Sequence, residues 1–307
     1  MFALVRAVGE HGIRPYGGDE VPMITPPVGA NLWIWDSPVT TDVIRQRAPL
    51  VKALGFDAIE LPLEDPSHWT ASEVRPILEE TGLTAGVCAA MGPGRDLTSL
   101  DRKVVEATQD YLRACIHRAA EIGATVVAGP MYSPTGQTGP IDFFARERII
   151  GALVENLAPL IACAEVHDVR LAIEPLNRFE TSLFNTVEQT MPLIEAINHP
   201  AIGLLLDTFH MNIEERDIGA AIRRAGKHLV HFHACGNDRG APGNDGIDWA
   251  AVRDALDEIG YSGAVSIESF TSANQTIATA ASIWRPLAKS QDALAEDGLA
   301  FLRDLFS

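Results

Sequence analysis

The sequence predicts an α/β fold in which eight parallel strands, each followed by a helix, close into a single (β/α)8 TIM barrel. Three observations favour this fold. From residue 28 onward, short apolar segments alternate with longer segments of helical periodicity. Several helical segments end on a glycine that stands just before the next apolar segment. The 307 residues, 47% of them hydrophobic, suffice for one large barrel or for two ordinary domains.

Eight apolar segments, many of them rich in β-branched residues, are the predicted strands. They are residues 28–35, 57–63, 83–90, 124–130, 169–175, 201–207, 228–234 and 263–269. Because a helical crossover returns the chain in its original direction, strands joined in this way run parallel. Eight such units in succession predict a closed barrel.

Helical segments separate the strands. The first, residues 40–55, begins with threonines and an aspartate, which are good N-capping residues, and ends on a glycine. Other clear segments are residues 101–123, 141–167 and 248–260, and a closing segment runs from about Thr276 to Phe306. A terminal glycine supplies the left-handed C-cap, so that the next strand starts at once. The alternative, an open doubly wound sheet, is disfavoured because its glycine-rich phosphate motifs do not occur here.

The N-terminal residues differ from the rest of the chain. Residues 1–27 are rich in glycine and proline and are predicted to form an irregular extension to a single barrel domain, residues 28–307. They lack the apolar core and cleavage site of a signal peptide, and we expect no membrane-spanning segment. The four cysteines are widely spaced, which predicts reduced thiols in a cytoplasmic protein: Cys88, Cys115, Cys163 and Cys235.

The balance of charges narrows the classes of partner. With 24 Lys and Arg against 41 Asp and Glu, the formal net charge is −17. Such a surface repels phosphate backbones and anionic lipids, so we expect neither nucleic acid nor membrane as a partner. A small neutral substrate is compatible with this charge.

Four chemically reactive residues close four consecutive predicted strands: Glu174, Asp207, His233 and Glu268. Barrel active sites lie at the carboxyl ends of the strands, so these side chains should converge. A charged residue at the end of a buried strand is costly to desolvate unless it meets a cation. Three carboxylates and one imidazole suit Mn²⁺, Mg²⁺ or Co²⁺ better than a structural zinc ion. Any one of them alone could instead be a helix cap or a rim ion pair.

Other residues near the predicted site have two interpretations. His231 shares a strand face with His233 but lies further from the barrel mouth, so we expect it to fill the interior. Trp33, Trp35, Glu60 and Trp69 are candidates either for the wall of a pocket or for the core.

Four segments resemble one known family. They are residues 173–181 (IEPLNRFET), 204–215 (LLLDTFHMNIEE), 231–243 (HFHACGNDRGAPG) and 266–270 (SIESF). On these segments the chain resembles the D-tagatose 3-epimerase and D-psicose (D-allulose) 3-epimerase family, in the xylose-isomerase-like barrel superfamily. The resemblance spans about residues 28–307, and the run DTFHMNIEE is its most specific part.

The resemblance implies roles for individual residues. The family's metal ligands fall on the same four strand-end residues, and its substrate-binding residues fall on Glu180, His210 and Arg239. It also implies a homodimer or homotetramer. One departure is visible, since Gly236 stands where close relatives carry glutamate.

The implied reaction is a metal-dependent ketose 3-epimerisation, with Mn²⁺ the most suitable ion. A hydrogen next to a ketone is a weak acid, and a metal bound to the carbonyl oxygen and a neighbouring hydroxyl stabilises the enediolate that forms when it leaves. Epimerisation at C3 needs removal of a proton from one face and delivery to the other. The resemblance gives these two roles to Glu174 and Glu268.

Three alternatives remain open at the level of the sequence. The first is another isomerase on the same scaffold: a hydroxypyruvate isomerase, an inosose isomerase or dehydratase, or an aldose–ketose isomerase. The second is a DNA-repair endonuclease, which would need more histidine ligands and a basic groove. The third is a sugar-binding protein without activity, which should have lost at least one ligand.

Overall fold

Eight parallel strands form a closed barrel in the structure, a computed structural model that describes residues 25–307. The strands β1–β8 are Val28–Asn31, Ala58–Leu63, Thr84–Ala89, Val126–Gly129, Arg170–Ile173, Ile202–Asp207, Leu229–Ala234 and Val265–Ile267. Each strand pairs with the next along the chain, and β8 pairs with β1. The predicted fold is confirmed. Most of the predicted N-terminal extension, residues 1–24, lies outside the described residues.

Helices surround the barrel. The helices α1–α10 are Thr41–Leu54, Ala71–Thr81, Arg102–Ile122, Phe143–Val166, Val187–Ile197, Thr208–Glu214, Ile218–Ala225, Trp249–Glu258, Gln275–Ala280 and Gln291–Leu305. The caps follow the sequence closely. The Thr40 side chain accepts a hydrogen bond from the backbone N–H of Val43, and Gly55 ends α1 in the left-handed region with φ 102°. A residue without a Cβ takes that conformation at little cost, so the chain turns directly into β2.

Two predicted boundaries are wrong. The first strand stops at Asn31, because the Asn31 side chain accepts a hydrogen bond from the backbone N–H of Trp33 and begins a 3-10 turn, Leu32–Ile34. The closing helical segment is interrupted between α9 and α10. Ser282 there has φ 57°, Pro286 follows, and α10 begins again on the Ser290 cap. A left-handed residue and a proline both break helical hydrogen bonding.

Part of the barrel interior beneath the strand ends is filled by small and medium apolar side chains. Ala128, Ala172, Leu205 and Val230 form a buried cluster of their own, separate from the larger core between sheet and helices. Ala172 has the strand parity of Glu174, so it points into the barrel. Glu174 therefore lies on an apolar layer.

The helix α4 has the length and apolar composition of a membrane span. In its most apolar 18-residue segment, 33% is buried inside the protein. Its buried residues, among them Leu153, Leu157 and Leu160, belong to the core. The packing of α4 is that of a barrel helix.

Candidate metal centre

The four strand-end residues meet at the carboxyl end of the barrel. Glu174 follows β5, Asp207 ends β6, His233 lies in β7 and Glu268 follows β8. All four are buried, and one ligand atom from each lies within 4.8 Å of those of the others. The structure thus brings together every residue that the sequence nominated as a metal ligand.

Two buried atoms in this cluster lack a hydrogen-bond partner among the described residues. They are Oε1 of Glu174 and Nδ1 of His233. Nδ1 of His233 lies 3.6 Å from Oε2 of Glu268, so it faces the other ligands. A buried polar atom left without a partner costs about 1–3 kcal/mol. A cation coordinated by the cluster removes this cost, so the residues present fit a divalent metal.

The electrostatics of the cluster also favour a cation. Burial raises the pKa of Glu174 well above its ordinary value, and the negative charge of Glu268 raises it further. Burial likewise raises the pKa of Asp207 to about 6, against the opposing charge of Arg239. Burial is also the largest influence on Glu268, but the charge and hydrogen bond of His233 and the charge of Arg239 together outweigh it, and the pKa lies below the ordinary value. Glu174 and Asp207 therefore lack enough positive charge nearby to offset their burial.

A cavity of about 600 Å³ opens above the cluster. Glu174, His233 and Glu268 belong to its lining, together with Trp33 and Phe270. Polar groups and aromatic walls in one cleft suit a small ligand that carries both hydroxyls and C–H surface.

The three residues that the resemblance linked to substrate also line this cavity: Glu180, His210 and Arg239. Arg239 is buried, with Nη1 2.7 Å from Oδ2 of Asp207 and 3.2 Å from Oε2 of Glu268. Its guanidinium lies 4.2 Å from the centre of the Phe209 ring. A cation over an aromatic face is stabilised by the ring quadrupole. Arg239 is therefore held rigidly beside the metal cluster.

His210 is a neutral residue at the cavity. Burial lowers its pKa well below the ordinary value, and the charges of Arg239 and His233 add to this. The backbone N–H of Asn177 donates to Nδ1 of His210, 3.1 Å away. Nε2 of the same ring lies 3.1 Å from Nη2 of Arg239, a donor, and 3.6 Å from Oε1 of Glu174, an acceptor. His210 therefore presents a neutral ring nitrogen that can hydrogen-bond a ligand in the cavity.

Comparison with known proteins identifies the family. A model of the xylose isomerase-like TIM barrel family matches residues 48–305. A probable ketose 3-epimerase of Synechocystis sp. is 36% identical over 256 residues, which cover 83% of this chain and 88% of that protein. The chain belongs to the ketose 3-epimerase family. It is thus a carbohydrate epimerase on a xylose isomerase-like barrel.

Further relatives share this epimerase's length and fold. A ketose 3-epimerase of Arthrobacter globiformis is 30% identical, with 90% of this chain and 96% of that protein covered. A solved structure of an L-ribulose 3-epimerase, 30% identical, superposes with a TM-score of 0.84 over 92% of this chain and 94% of that one. The D-allulose 3-epimerase of Methylomonas sp. superposes with a TM-score of 0.84 at 27% identity, covering 92% of this chain and 98% of that one.

Two residues beside the metal ligands of this epimerase were not predicted from the sequence to belong to the metal centre. Glu60, considered there only for the pocket wall or the core, has Oε2 3.0 Å from Nε2 of His233 and is also bonded to Nε2 of His231. Asn31 donates from Nδ2 to Oε2 of Glu60 and, at 3.2 Å, to Oε1 of Glu268. The only signal for Glu60 was an acid in the middle of the apolar segment AIELPL.

The remaining candidates separate clearly in this epimerase. His231 is buried in the interior, as expected from its strand position. Trp33 lines the cavity, whereas Trp35 and Trp69 are buried, and Nε1 of Trp69 donates to the carbonyl of Pro62. Trp33 therefore belongs to the pocket wall, whereas Trp35 and Trp69 belong to the core.

The glycine that departs from the family pattern lies in the turn that carries Arg239. The backbone N–H of Arg239 donates to the carbonyl of Gly236, and Arg239 itself has φ 69°. A Cβ at position 236 would lie 2.9 Å from the carbonyl oxygen of Ala241 and 3.0 Å from that of Gly240. Any side chain there requires a shift of this turn. The glycine is thus matched to the local backbone of this chain.

Proposed function

We propose that this epimerase interconverts the C3 epimers of free ketoses by removing the proton at C3 and replacing it on the opposite face. Its substrates would then be D-tagatose, D-allulose, L-ribulose or their relatives, as in the names of the similar proteins. The observation that carries the proposal is that two carboxyl groups, Glu174 and Glu268, stand at the two ends of the row of ligands, after β5 and β8, and line one cavity.

Glu174 and Glu268 are the proposed acid–base pair. A C3 proton can leave to one carboxylate while the other carboxyl group delivers a proton from the opposite face. In the metal-free protein, burial raises the pKa of Glu174, whereas the charges and hydrogen bond of His233 and Arg239 together outweigh burial and lower the pKa of Glu268. The two carboxyl groups therefore lie in different electrostatic environments.

Three further side chains are proposed to bind and orient the ketose. His210 hydrogen-bonds an oxygen near the carbonyl, and Arg239 offers several N–H donors to hydroxyls next to the reacting carbon. Glu180 accepts from a substrate hydroxyl, while Nδ2 of Asn177 holds its carboxylate at 2.8 Å.

A divalent cation held by Glu174, Asp207, His233 and Glu268 supplies Lewis-acid stabilisation of the negative charge that develops on the substrate oxygens. Among divalent ions we propose Mn²⁺, with Mg²⁺ or Co²⁺ as substitutes, because three of the four donors are carboxylates.

Broader properties are proposed on the same basis. We propose a single catalytic domain, residues 28–307, that works in the cytoplasm as a homodimer or homotetramer. Its four cysteines are free among the described residues, as suits a reducing compartment. The formal net charge of −17 agrees with a neutral sugar as partner in place of nucleic acid or membrane.

The reaction is tested by incubating the enzyme with ketohexoses and ketopentoses in deuterium oxide, beside hydroxypyruvate and inosose. We expect the C3 epimer to form and to carry deuterium at C3, detected by NMR. Turnover of hydroxypyruvate or inosose alone would overturn the proposal. Epimerisation without deuterium at C3 would rule out the proton-transfer mechanism.

The acid–base pair is tested by Glu268→Gln, which keeps the size of the side chain and removes the base. We expect a loss of kcat of about 10²–10⁴-fold, the usual contribution of a general base. Exposed Glu188 provides a matched control, and Glu188→Gln should retain wild-type kcat. Unchanged kcat in Glu268→Gln would exclude Glu268 from the chemistry.

A further inference from the structure

A second group of metal-ligating side chains lies outside the barrel, on the helices α3 and α4. His117 belongs to α3, Cys163 to α4, and His167 is the C-cap residue of α4. One ligand atom from each lies within 4.8 Å of those of the others. Both histidines are exposed and the cysteine is half-buried, so an ion in solvent can reach all three.

The two helices bring these side chains to one place for simple reasons. Cys163 and His167 are four residues apart, so they project from the same side of one helical turn. His117 approaches from the neighbouring helix, with its ring centre 4.9 Å from that of His167. Two ligands from one helix and one from its neighbour form a preorganised tridentate set.

The distance between Cys163 and His117 fits a tetrahedral ion. With Zn–S near 2.3 Å and Zn–N near 2.0–2.1 Å, tetrahedral angles separate the donor atoms by about 3.3–3.6 Å. Sγ of Cys163 lies 3.5 Å from Nε2 of His117. An S–H···N hydrogen bond explains that single distance, but it does not explain why His167 also joins the pair.

We propose that His117, Cys163 and His167 form a second metal site, which binds one Zn²⁺ or a similar thiophilic divalent transition-metal ion and leaves a fourth position open to water. Thiolate and imidazole donors select such ions over Mn²⁺ and Mg²⁺. The last carbonyls of α4 carry the negative end of the helix dipole next to His167, which favours a cation.

The two sites would then prefer different ions because their ligand atoms differ. The barrel centre offers three carboxylates and one imidazole, whereas the surface site offers one thiolate and two imidazoles. An ion at the surface site ties α3 to α4 and stabilises the folded chain without touching the cavity.

Co²⁺ provides a probe that separates the sites, because only a thiolate ligand gives a sulfur-to-cobalt charge-transfer band in the near ultraviolet. We expect wild-type enzyme titrated with Co²⁺ to show this band. Cys163→Ser should lose the band and one bound equivalent of Co²⁺ while it keeps its Mn²⁺-supported epimerase activity. His167→Gln, which retains the thiol, should weaken the band, and Glu268→Gln should retain it.

His199→Gln is the matched control, since His199 is a partly exposed histidine outside the cluster, and it should bind Co²⁺ like wild type. Absence of the band in wild-type enzyme would overturn the proposal. So would a band that persists in Cys163→Ser, because it would place the thiolate ligand elsewhere, with Cys88 beside Glu60 and His233 the first suspect.

Discussion

Glu60 shows how one buried carboxylate sets the orientation of a metal ligand. It accepts from Nε2–H of His233 at 3.0 Å, which leaves Nδ1 of the same ring facing Glu268 and the rest of the cluster. Hydrogen bonding of the remote ring nitrogen fixes the tautomer and raises the basicity of the ligating nitrogen. Glu60 is therefore a positioning residue that acts through His233.

Glu60→Gln tests this role. We expect the Kd for Mn²⁺ to rise by about 10–100-fold, because the ring loses a charged acceptor and its preferred orientation. Isothermal titration of chelator-treated enzyme measures the affinity. Exposed Glu73, on the first turn of α2, is the control, and Glu73→Gln should bind Mn²⁺ like wild type. An unchanged Kd in Glu60→Gln would show that Glu60 only fills space.

The strand-end ligands could be predicted from the sequence, but the residues that hydrogen-bond to them, such as Glu60, could not. A strand-end position is visible in one segment at a time, so Asp207 and His233 could be proposed without knowing how strands align. The contact of Glu60 with His233 joins β2 to β7 across the interior and depends on the stagger of the closed sheet. No local pattern encodes that stagger.

At the scale of elements, two glycines that the sequence does not distinguish differ in whether the structure can accept a side chain. Gly129 ends β4 with φ 135°, and a Cβ there would lie 2.6 Å from the backbone oxygen of Ala89. Gly151 lies inside α4, where a Cβ would meet nothing within 4 Å. The barrel therefore requires a glycine at position 129, whereas α4 does not require one at position 151.

Alanine substitution should separate them. Gly129→Ala should lower the free energy of unfolding by at least about 1–3 kcal/mol, the usual cost of a strained backbone conformation. Gly151→Ala should raise it by about 0.5–1 kcal/mol, because alanine is the better residue inside a helix. Urea denaturation of both variants measures these changes. Equal effects of the two substitutions would contradict this account of the backbone.

The order and type of the elements could be predicted, whereas some of their ends could not. The strand–helix alternation depends on local periodicity, and each predicted strand corresponds to one observed strand. The end of β1 depends instead on a side chain, Asn31, which turns back onto its own backbone. The break between α9 and α10 likewise follows from the left-handed Ser282, after which the backbone N–H of Ile283 donates to the carbonyl of Ala278 and ends α9. Glycine or asparagine usually occupies that position, so a serine does not signal the end of the helix.

At the scale of the whole molecule, closure of the barrel brings the ligands of the site together, and it also makes their carboxylates repel one another in the metal-free protein. The strands β5–β8 bring three carboxylates together below the protein surface, and burial raises the pKa of Glu174 and Asp207. A group whose folded pKa is raised stabilises the fold below its unfolded pKa, and that contribution is lost as the pH rises through the folded pKa. For Asp207 this window extends from 3.8, its ordinary value, to about 6.

Metal binding should therefore stabilise the enzyme more at pH 8 than at pH 5. At pH 8 the metal-free protein has lost the Asp207 contribution and its ligands are ready to bind, whereas at pH 5 a proton on Asp207 competes with the ion. We expect the rise in Tm on adding Mn²⁺ to shrink as the pH falls through about 6. Differential scanning calorimetry of chelated and Mn²⁺-loaded samples measures it, with Glu268→Gln as a variant of weakened affinity. A Tm increment that is constant from pH 5 to pH 8 would mean that no proton leaves the cluster on binding, and the assignment of Asp207 as a ligand would fail.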